Sequence, residues 1–268
     1  MSKIILLTGA TDGIGLLTAE KLASAGHHLL LHGRNEAKLA KVVNELKGKY
    51  PDTDIEVYVA DLSSFRDIAE FADNVAEHHS HLDVIINNAG IFKATETLTA
   101  DNLDVRFVVN TLAPYALTQM LLSKMDSHGR VVNLSSAAQA SVNLDALKGN
   151  ITLDDNGAYA QSKLALTMFS KHLADTLGDQ APAIIAVNPA SFLGSKMVKE
   201  AYGVAGGDLS IGADILFRAA LSAEFSDASG KYFDNDSGRF AKPHSDAQNP
   251  DKNAALVATM DEILSRFV

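Results

Sequence analysis

Short apolar runs alternate with longer helical patterns along most of the chain, and this alternation constrains the fold more than any other feature. IILLT (4–8), HLLLH (28–32), IEVYVA (55–60), DVIIN (83–87), RVVNLS (130–135) and AIIAVN (183–188) read as strands. Several are apolar on consecutive residues, the pattern of strands covered on both faces. Helical patterns fill the gaps at about 13–25, 35–48, 64–79, 101–126 and 157–178. Strand–helix repetition joined by right-handed crossovers gives a doubly wound α/β fold with a mostly or fully parallel sheet. GKYF (230–233) can add a last strand, for about seven in all, and 253–267 a closing helix. No Pro/Gly/Ser linker, repeat or low-complexity tract divides the 268 residues, so 1–268 is expected to form a single domain.

Charge and cysteine content exclude several classes of partner. A formal net charge of −10 argues against nucleic acid and anionic membrane surfaces. There is no cysteine, so disulfides, thiolate metal sites and thiol nucleophiles are ruled out. MSKIILLTGA begins a strand almost at once, with no basic segment, apolar stretch and cleavage site, and no apolar run is long enough to span a bilayer. The expectation is a cytoplasmic protein.

TGATDGIG (8–15) lies where the first strand becomes the first helix. Gly9, Gly13 and Gly15, with Thr11, Asp12 and Ile14 between them, let the backbone approach a pyrophosphate that the helix N-terminus can hold. The spacing is G-x-x-x-G-x-G rather than G-x-G-x-x-G, and such a turn can also serve tight packing alone. The second strand ends in HGRN, where a carboxylate would suit the free ribose hydroxyl of NAD(H). Here Gly33 leaves that space empty. Arg34, followed by Asn35, offers a charged planar fork suited to phosphate, which favours NADP(H). Asp61 and Leu62 close the third strand near an adenine position. NNAG (87–90) closes the fourth with Asn88, Ala89 and Gly90. All lie on the carboxyl edge of the sheet, where open α/β folds bind ligands.

GAYAQSK (157–163) puts Tyr159 and Lys163 about one helical turn apart, and RVVNLSS ends the fifth strand at Ser135 and Ser136. TGATDGIG, the aspartate of ADL, NNAG, Asn110, Ser136 and YAQSK together resemble the short-chain dehydrogenase/reductase family, and they occur in the family's order over residues 8–163. The resemblance implies a Rossmann fold and an enzyme that interconverts a carbonyl and an alcohol, with Tyr159 as general acid and base. A phenol titrates near 10, and each unit of lowering needs about 1.4 kcal/mol of differential stabilisation. The Lys163 ammonium and an oxidised nicotinamide both favour the phenolate. By the same resemblance Lys163 also holds ribose hydroxyls, and Ser136 holds the substrate oxygen, with Ser135 as the alternative.

Pro114 lacks the N–H that would bond the carbonyl of residue 110 in a continuous helix. That carbonyl is free for a water, and in the family such an asparagine anchors a water leading protons to the lysine. A kinked helix with a satisfied buried amide is the other reading. VNPASFLGSKM (187–197) stands where the family covers the nicotinamide, with Pro189 and Ala190 replacing a proline–glycine pair and Ser195 about one residue late. Gly203, Gly206 and Gly207 follow, so 190–210 reads as a lid beside the substrate.

The long connection from Ser136 to Tyr159, with YAQSKLA and SGKYF, is similar to the retinol-dehydrogenase-like branch. Candidate pocket residues are Phe92, Leu144, Leu147, Phe192, Met197 and Tyr202, with Lys93, Lys196 and Lys199. His27, His28, His78, His79 and His81 lack convincing ligand spacing and read as solvated helix-end residues, so no metal is expected. Ala160, Leu164 and Met168 form one apolar stripe on the Tyr159 helix; Ala165, Phe169 and Leu173 form another. Since family members commonly pair this helix with its copy, a homodimer or homotetramer is expected. The competing functional class is a catalytically idle NADP-sensing regulator of the same fold.

Overall fold

The computed structural model describes residues 2–194, 199, 203 and 205–267. Its strands are β1 (Ile4–Leu7), β2 (His28–Gly33), β3 (Ile55–Val59), β4 (Val84–Asn87), β5 (Arg130–Leu134), β6 (Ala183–Asn188), β7 (Tyr232–Asp234) and β8 (Arg239–Ala241). They form one eight-stranded sheet in the order β3-β2-β1-β4-β5-β6-β7-β8. Every pairing is parallel except β7 with β8. The chain reverses direction across the sheet between β1 and β4, and this switch point opens a crevice at the carboxyl ends of the strands.

Helices α1 (Gly13–Ser24), α2 (Glu36–Lys49) and α3 (Phe65–His78) follow the first three strands, capped by Asp12, Asn35 and Ser64. Next come α4 (Val105–Phe107), α5 (Ala113–Leu121), α6 (Leu144–Leu147), α7 (Asp155–Leu177), α8 (Ser210–Leu221) and α9 (Pro250–Leu264). Side chains alternate across β1, so Leu6 joins one core while Ile5 and Leu7 join the other. The first core lies under α3, α5, α7 and α9; the second lies under α1, α2 and α8.

The expected helix at 101–126 is broken. Val108–Leu112 is π-helical, with the Ala113 N–H donating to the Val108 carbonyl, and α5 resumes with Pro114 in its first turn. A missing amide at 114 and a wider turn just before it are one distortion, since Pro114 removes a bond that regular α-helix would need.

Two other expectations change. All but Ala160 of the two apolar stripes of α7 are buried in the same core as Leu256, Val257, Met260 and Ile263 of α9, and Tyr115 donates to Asp261 of α9 at 2.7 Å. The helix's own chain covers it, so the stripes no longer call for a second subunit. His79 is not solvated: its Nε2 lies 3.2 Å from Glu56 and 3.2 Å from the Tyr58 hydroxyl. His28 Nε2 meets the other Glu56 oxygen at 2.8 Å. Glu56 on β3 supplies the partner that lets an imidazole at the end of α3 be buried. Among the described residues no three such side chains are grouped to hold a metal ion, and no helix is long and apolar enough to cross a membrane.

Candidate active site

The glycine turn leaves β1 and caps α1. Gly9 and Gly13 take φ of 69° and 54°, a region that favours glycine. A Cβ on Gly15 would stand 2.1 Å from the Gly9 carbonyl and 2.5 Å from Asn88 Nδ2. Only a bare backbone fits this cradle. Asn88 Nδ2 donates to the carbonyls of Thr8 and Gly9 at 2.8 and 3.1 Å, and the N–H groups of Asn88 and Ala89 both donate to the Thr8 hydroxyl. The NNAG segment therefore buttresses the turn, with Ala89 and Gly90 half-buried beside it.

Several of the turn's amides are already engaged, that of Ala10 by the His32 carbonyl at 2.9 Å. Asp12 accepts from Gly13 N–H at 2.7 Å, and Gly9 N–H donates to His32 Nδ1 at 3.3 Å. Anion binding falls to the other amides at the α1 N-terminus, including those of Ile14 and Gly15, which have no partner one turn earlier in the helix. His32 was not singled out from the sequence. Its Nε2 reaches the Ala60 carbonyl at 3.1 Å, and its ring stacks on Phe71 with centroids 4.9 Å apart. Burial lowers its pKa to about 4, so the ring is neutral, accepting at Nδ1 and donating at Nε2.

Gly33 does not leave an empty space. A Cβ there would lie 2.7 Å from the Thr11 methyl, so Thr11 fills the room at the end of β2 and no carboxylate stands there. Arg34 and Asn35 are exposed at the same edge; Asn35 caps α2 by accepting from Lys38 N–H at 2.9 Å. Arg34 forms no ion pair among the described residues. Asp61 is exposed and accepts from the Ser63 N–H and hydroxyl, while Leu62 turns into the core.

Tyr159 and Lys163 stand on α7, which reaches the end of β5 through Lys163. Lys163 is buried; its Nζ donates to the Leu134 carbonyl at 2.7 Å and lies 5.8 Å from the Tyr159 ring centroid. Burial pushes its pKa down to about 8. The Tyr159 ring packs on Phe92, centroids 4.7 Å apart.

The two serines differ in availability. Ser135 is buried, with its hydroxyl within bonding distance of the Lys163 carbonyl and the Thr167 hydroxyl. Ser136 is half-exposed, its hydroxyl accepting only a local bond from Ala138 N–H at 3.1 Å. Asn110 Oδ1 accepts from Ile91 N–H at 2.8 Å, and its Nδ2 donates to the Ile91 carbonyl and to Ser162, each at 2.9 Å. Its side chain thus ties the NNAG turn to α7, and its carbonyl faces a residue 114 that carries no N–H.

The segment after β6 keeps a glycine-like backbone without the glycine. Ala190 has φ of 117° and Phe192 has φ of 52°. The Pro189 carbonyl accepts from Asn235, and Ser191 is held by Asp236 through its N–H and hydroxyl. Leu193 and Gly207 bridge, with Gly194 and Phe192 bonded to Gly207 at 2.7 Å each, closing the base of the expected lid. Ser195, Lys196, Met197 and Tyr202 lie outside the described residues. Of the other pocket candidates, Phe92 and Leu147 are buried, Leu144 is half-buried and Phe192 is exposed.

A glycine cradle at the switch point, a buried lysine beside a tyrosine and an available serine converge on one edge of the sheet. The model of the family described as short chain dehydrogenase matches residues 3–203. The chain belongs to that family. Among this short chain dehydrogenase's relatives, polyprenol dehydrogenase of Homo sapiens is 34% identical over 192 residues, covering 69% of this chain and 58% of that protein. Retinol dehydrogenase 13 of Homo sapiens is 30% identical over 258 residues, covering 87% of this chain and 76% of that protein. These relatives agree with the expected retinol-dehydrogenase-like branch. A crystal structure from Mycobacterium paratuberculosis superposes with a TM-score of 0.78 at 26% identity, covering 98% of this chain and 93% of that one. A structure from Escherichia coli CFT073 complexed with NADPH gives a TM-score of 0.69 at 26% identity, covering 87% and 96%.

Proposed function

We propose that this short chain dehydrogenase is an NADP(H)-dependent oxidoreductase that interconverts an aldehyde or ketone with its alcohol. The observation that carries the reading is the pairing of a buried Lys163 ammonium with the Tyr159 ring, 5.8 Å from its centroid, beside a half-exposed Ser136. Family membership supports carbonyl–alcohol chemistry in general. The turn of Gly9, Gly13 and Gly15 at the α1 N-terminus supports a dinucleotide pyrophosphate, since Gly15, with no room for a Cβ against the Gly9 carbonyl, packs the turn tightly onto the helix whose leading amides point outward. Arg34, with no ion pair among the described residues at the end of β2, supports a 2′-phosphate there, as does the NADPH in a structural neighbour. Asp61 would meet the adenine; Pro189 and, in the undescribed segment, Ser195 would flank the nicotinamide.

When bound, the nicotinamide supplies or accepts the hydride at the substrate carbon. The residues of the chain handle the proton and the geometry. In reduction the Tyr159 hydroxyl gives its proton to the carbonyl oxygen, and in oxidation the phenolate takes it from the alcohol. The Ser136 hydroxyl donates to the same oxygen and fixes its position. Lys163, charged while the pH is below about 8, stabilises the phenolate and donates to ribose hydroxyls. The Asn110 carbonyl, opposite Pro114, holds a water through which Lys163 exchanges protons. Phe92 against Tyr159 makes one wall apolar, and relatives named for retinol and polyprenol support an apolar substrate.

A catalytically idle sensor is not favoured, because the Asn110, Ser136, Tyr159 and Lys163 set is retained. The deciding experiment is an NADPH-oxidation screen over aldehydes, ketones, quinones and retinoids, run in parallel with Tyr159→Phe. Turnover that disappears in the variant while NADPH binding persists is the expected result. Parent-rate turnover by Tyr159→Phe overturns the assignment.

A further inference from the structure

Arg106 is among the largest side chains in the molecule that solvent does not reach, with 1% of its surface exposed. No motif calls for it. Its Nε and Nη2 donate to the two carboxylate oxygens of Asp104 at 2.8 and 2.7 Å, and Asp104 also accepts the Arg106 N–H at 2.9 Å. That pairing alone neutralises the guanidinium. The remaining arm reaches a different element: Nη1 donates to Asp155 Oδ1, in the first turn of α7.

Both ends of this bond lead to the proposed chemistry. Asp155 lies four residues before Tyr159, so the two share a face of α7 about one turn apart. Arg106 stands four residues before Asn110, at the entry to the π-helical turn. Beyond Tyr159, the same two elements are joined again by Asn110 Nδ2 to Ser162 at 2.9 Å and by the Thr111 hydroxyl to the Ser162 carbonyl at 2.8 Å. Tyr159 therefore sits between two cross-links, one at 155 and one at 162. We propose that Arg106 and Asp155 are positioning residues, forming an outer clamp that fixes the first turns of α7 and thereby the placement of the Tyr159 hydroxyl. The clamp rests on the catalytic reading of Tyr159 above. A displacement of about 1 Å in a reacting group costs on the order of a hundredfold in rate.

Asp155 is 45% exposed, so it can be changed without opening the core. Full-length Asp155→Ala, Asp155→Asn and parent would be compared for kcat, NADPH KM, Tm and amide hydrogen exchange of the peptide spanning 155–163. The expected result for Asp155→Ala is a kcat about tenfold lower, an NADPH KM within about twofold and faster exchange confined to that peptide. Asp155→Asn keeps the Oδ1 acceptor and should recover most of the rate. Unchanged exchange and kcat in Asp155→Ala overturn the clamp, as does a loss of kcat that merely follows losses of Tm and NADPH affinity. Exchange needs no substrate, so it tests the clamp even where turnover is absent. Retained turnover in Tyr159→Phe would instead overturn the catalytic reading.

Discussion

The main-chain N–H of Gly9, in the proposed pyrophosphate turn, donates to the imidazole of His32, 3.3 Å away at the end of the neighbouring strand. Through its other nitrogen the same ring holds the Ala60 carbonyl, next to Asp61. One neutral side chain thus couples three strand ends that the cofactor would span.

His32 should make the protein acid-sensitive. Its folded pKa of about 4 lies below the ordinary histidine value of 6.5, so between these values the unfolded chain binds a proton that the native state refuses. Stability then falls as pH drops from about 6.5 toward 4, by about 3 kcal/mol in full. His32→Gln, which cannot titrate, should lose this slope while binding NADPH several-fold more weakly through a looser turn. Urea unfolding at stepped pH checks it. Parallel curves for the two proteins would contradict the assignment.

Lys163 runs on the same logic at higher pH. Its native pKa of about 8 lies below 10.5, so the native state pays for a buried charge below about pH 8 and is relieved of it as pH rises toward 10.5. Relative to Lys163→Met, the parent should gain up to about 3 kcal/mol of stability across that interval. Urea midpoints of the pair, measured near neutrality and near pH 10, give the difference directly. A gap independent of pH would mean that Lys163 is not desolvated.

The strand positions and the site motifs were legible because they are local: apolar runs, glycines at a βα turn, and a tyrosine and lysine one turn apart. β8 was missed because RFA (239–241) carries little apolar signal, and only the Ser237–Gly238 turn before it hints at a hairpin. His32 and Arg106 have no local signature; their key partners, Gly9 and Asp155, lie 23 and 49 positions away. The cover that α9 gives α7 was not legible for a related reason, since an apolar stripe records burial but not which element supplies it.

Ala190 offers a test of stored strain. Its φ of 117° is a glycine-type conformation, held by the bonds of Asn235 and Asp236 on either side. Such an outlier costs about 1–3 kcal/mol, whereas glycine gives back about 0.5–1 through unfolded-state entropy. Ala190→Gly should therefore stabilise by about 1 kcal/mol and raise Tm by about 2–4 °C. A lowered Tm in calorimetry would show that the backbone is not strained there.

The proposed preference for NADP(H) rests on Arg34. It is exposed beside the Gly33 site where Thr11, not a carboxylate, fills the space, so nothing there is arranged to accept from a 2′-hydroxyl. A charge-assisted contact to phosphate contributes about 1.5–3 kcal/mol. Arg34→Ala should then weaken NADPH by about ten- to a hundredfold and NADH by no more than about threefold, with Tm nearly unchanged because the side chain is exposed. The NADPH preference of the parent should also shrink as salt rises, since an exposed ion contact is screened. Titration of both nucleotides against parent and variant reads all three effects, and equal losses for the two cofactors would remove the ground for NADP(H).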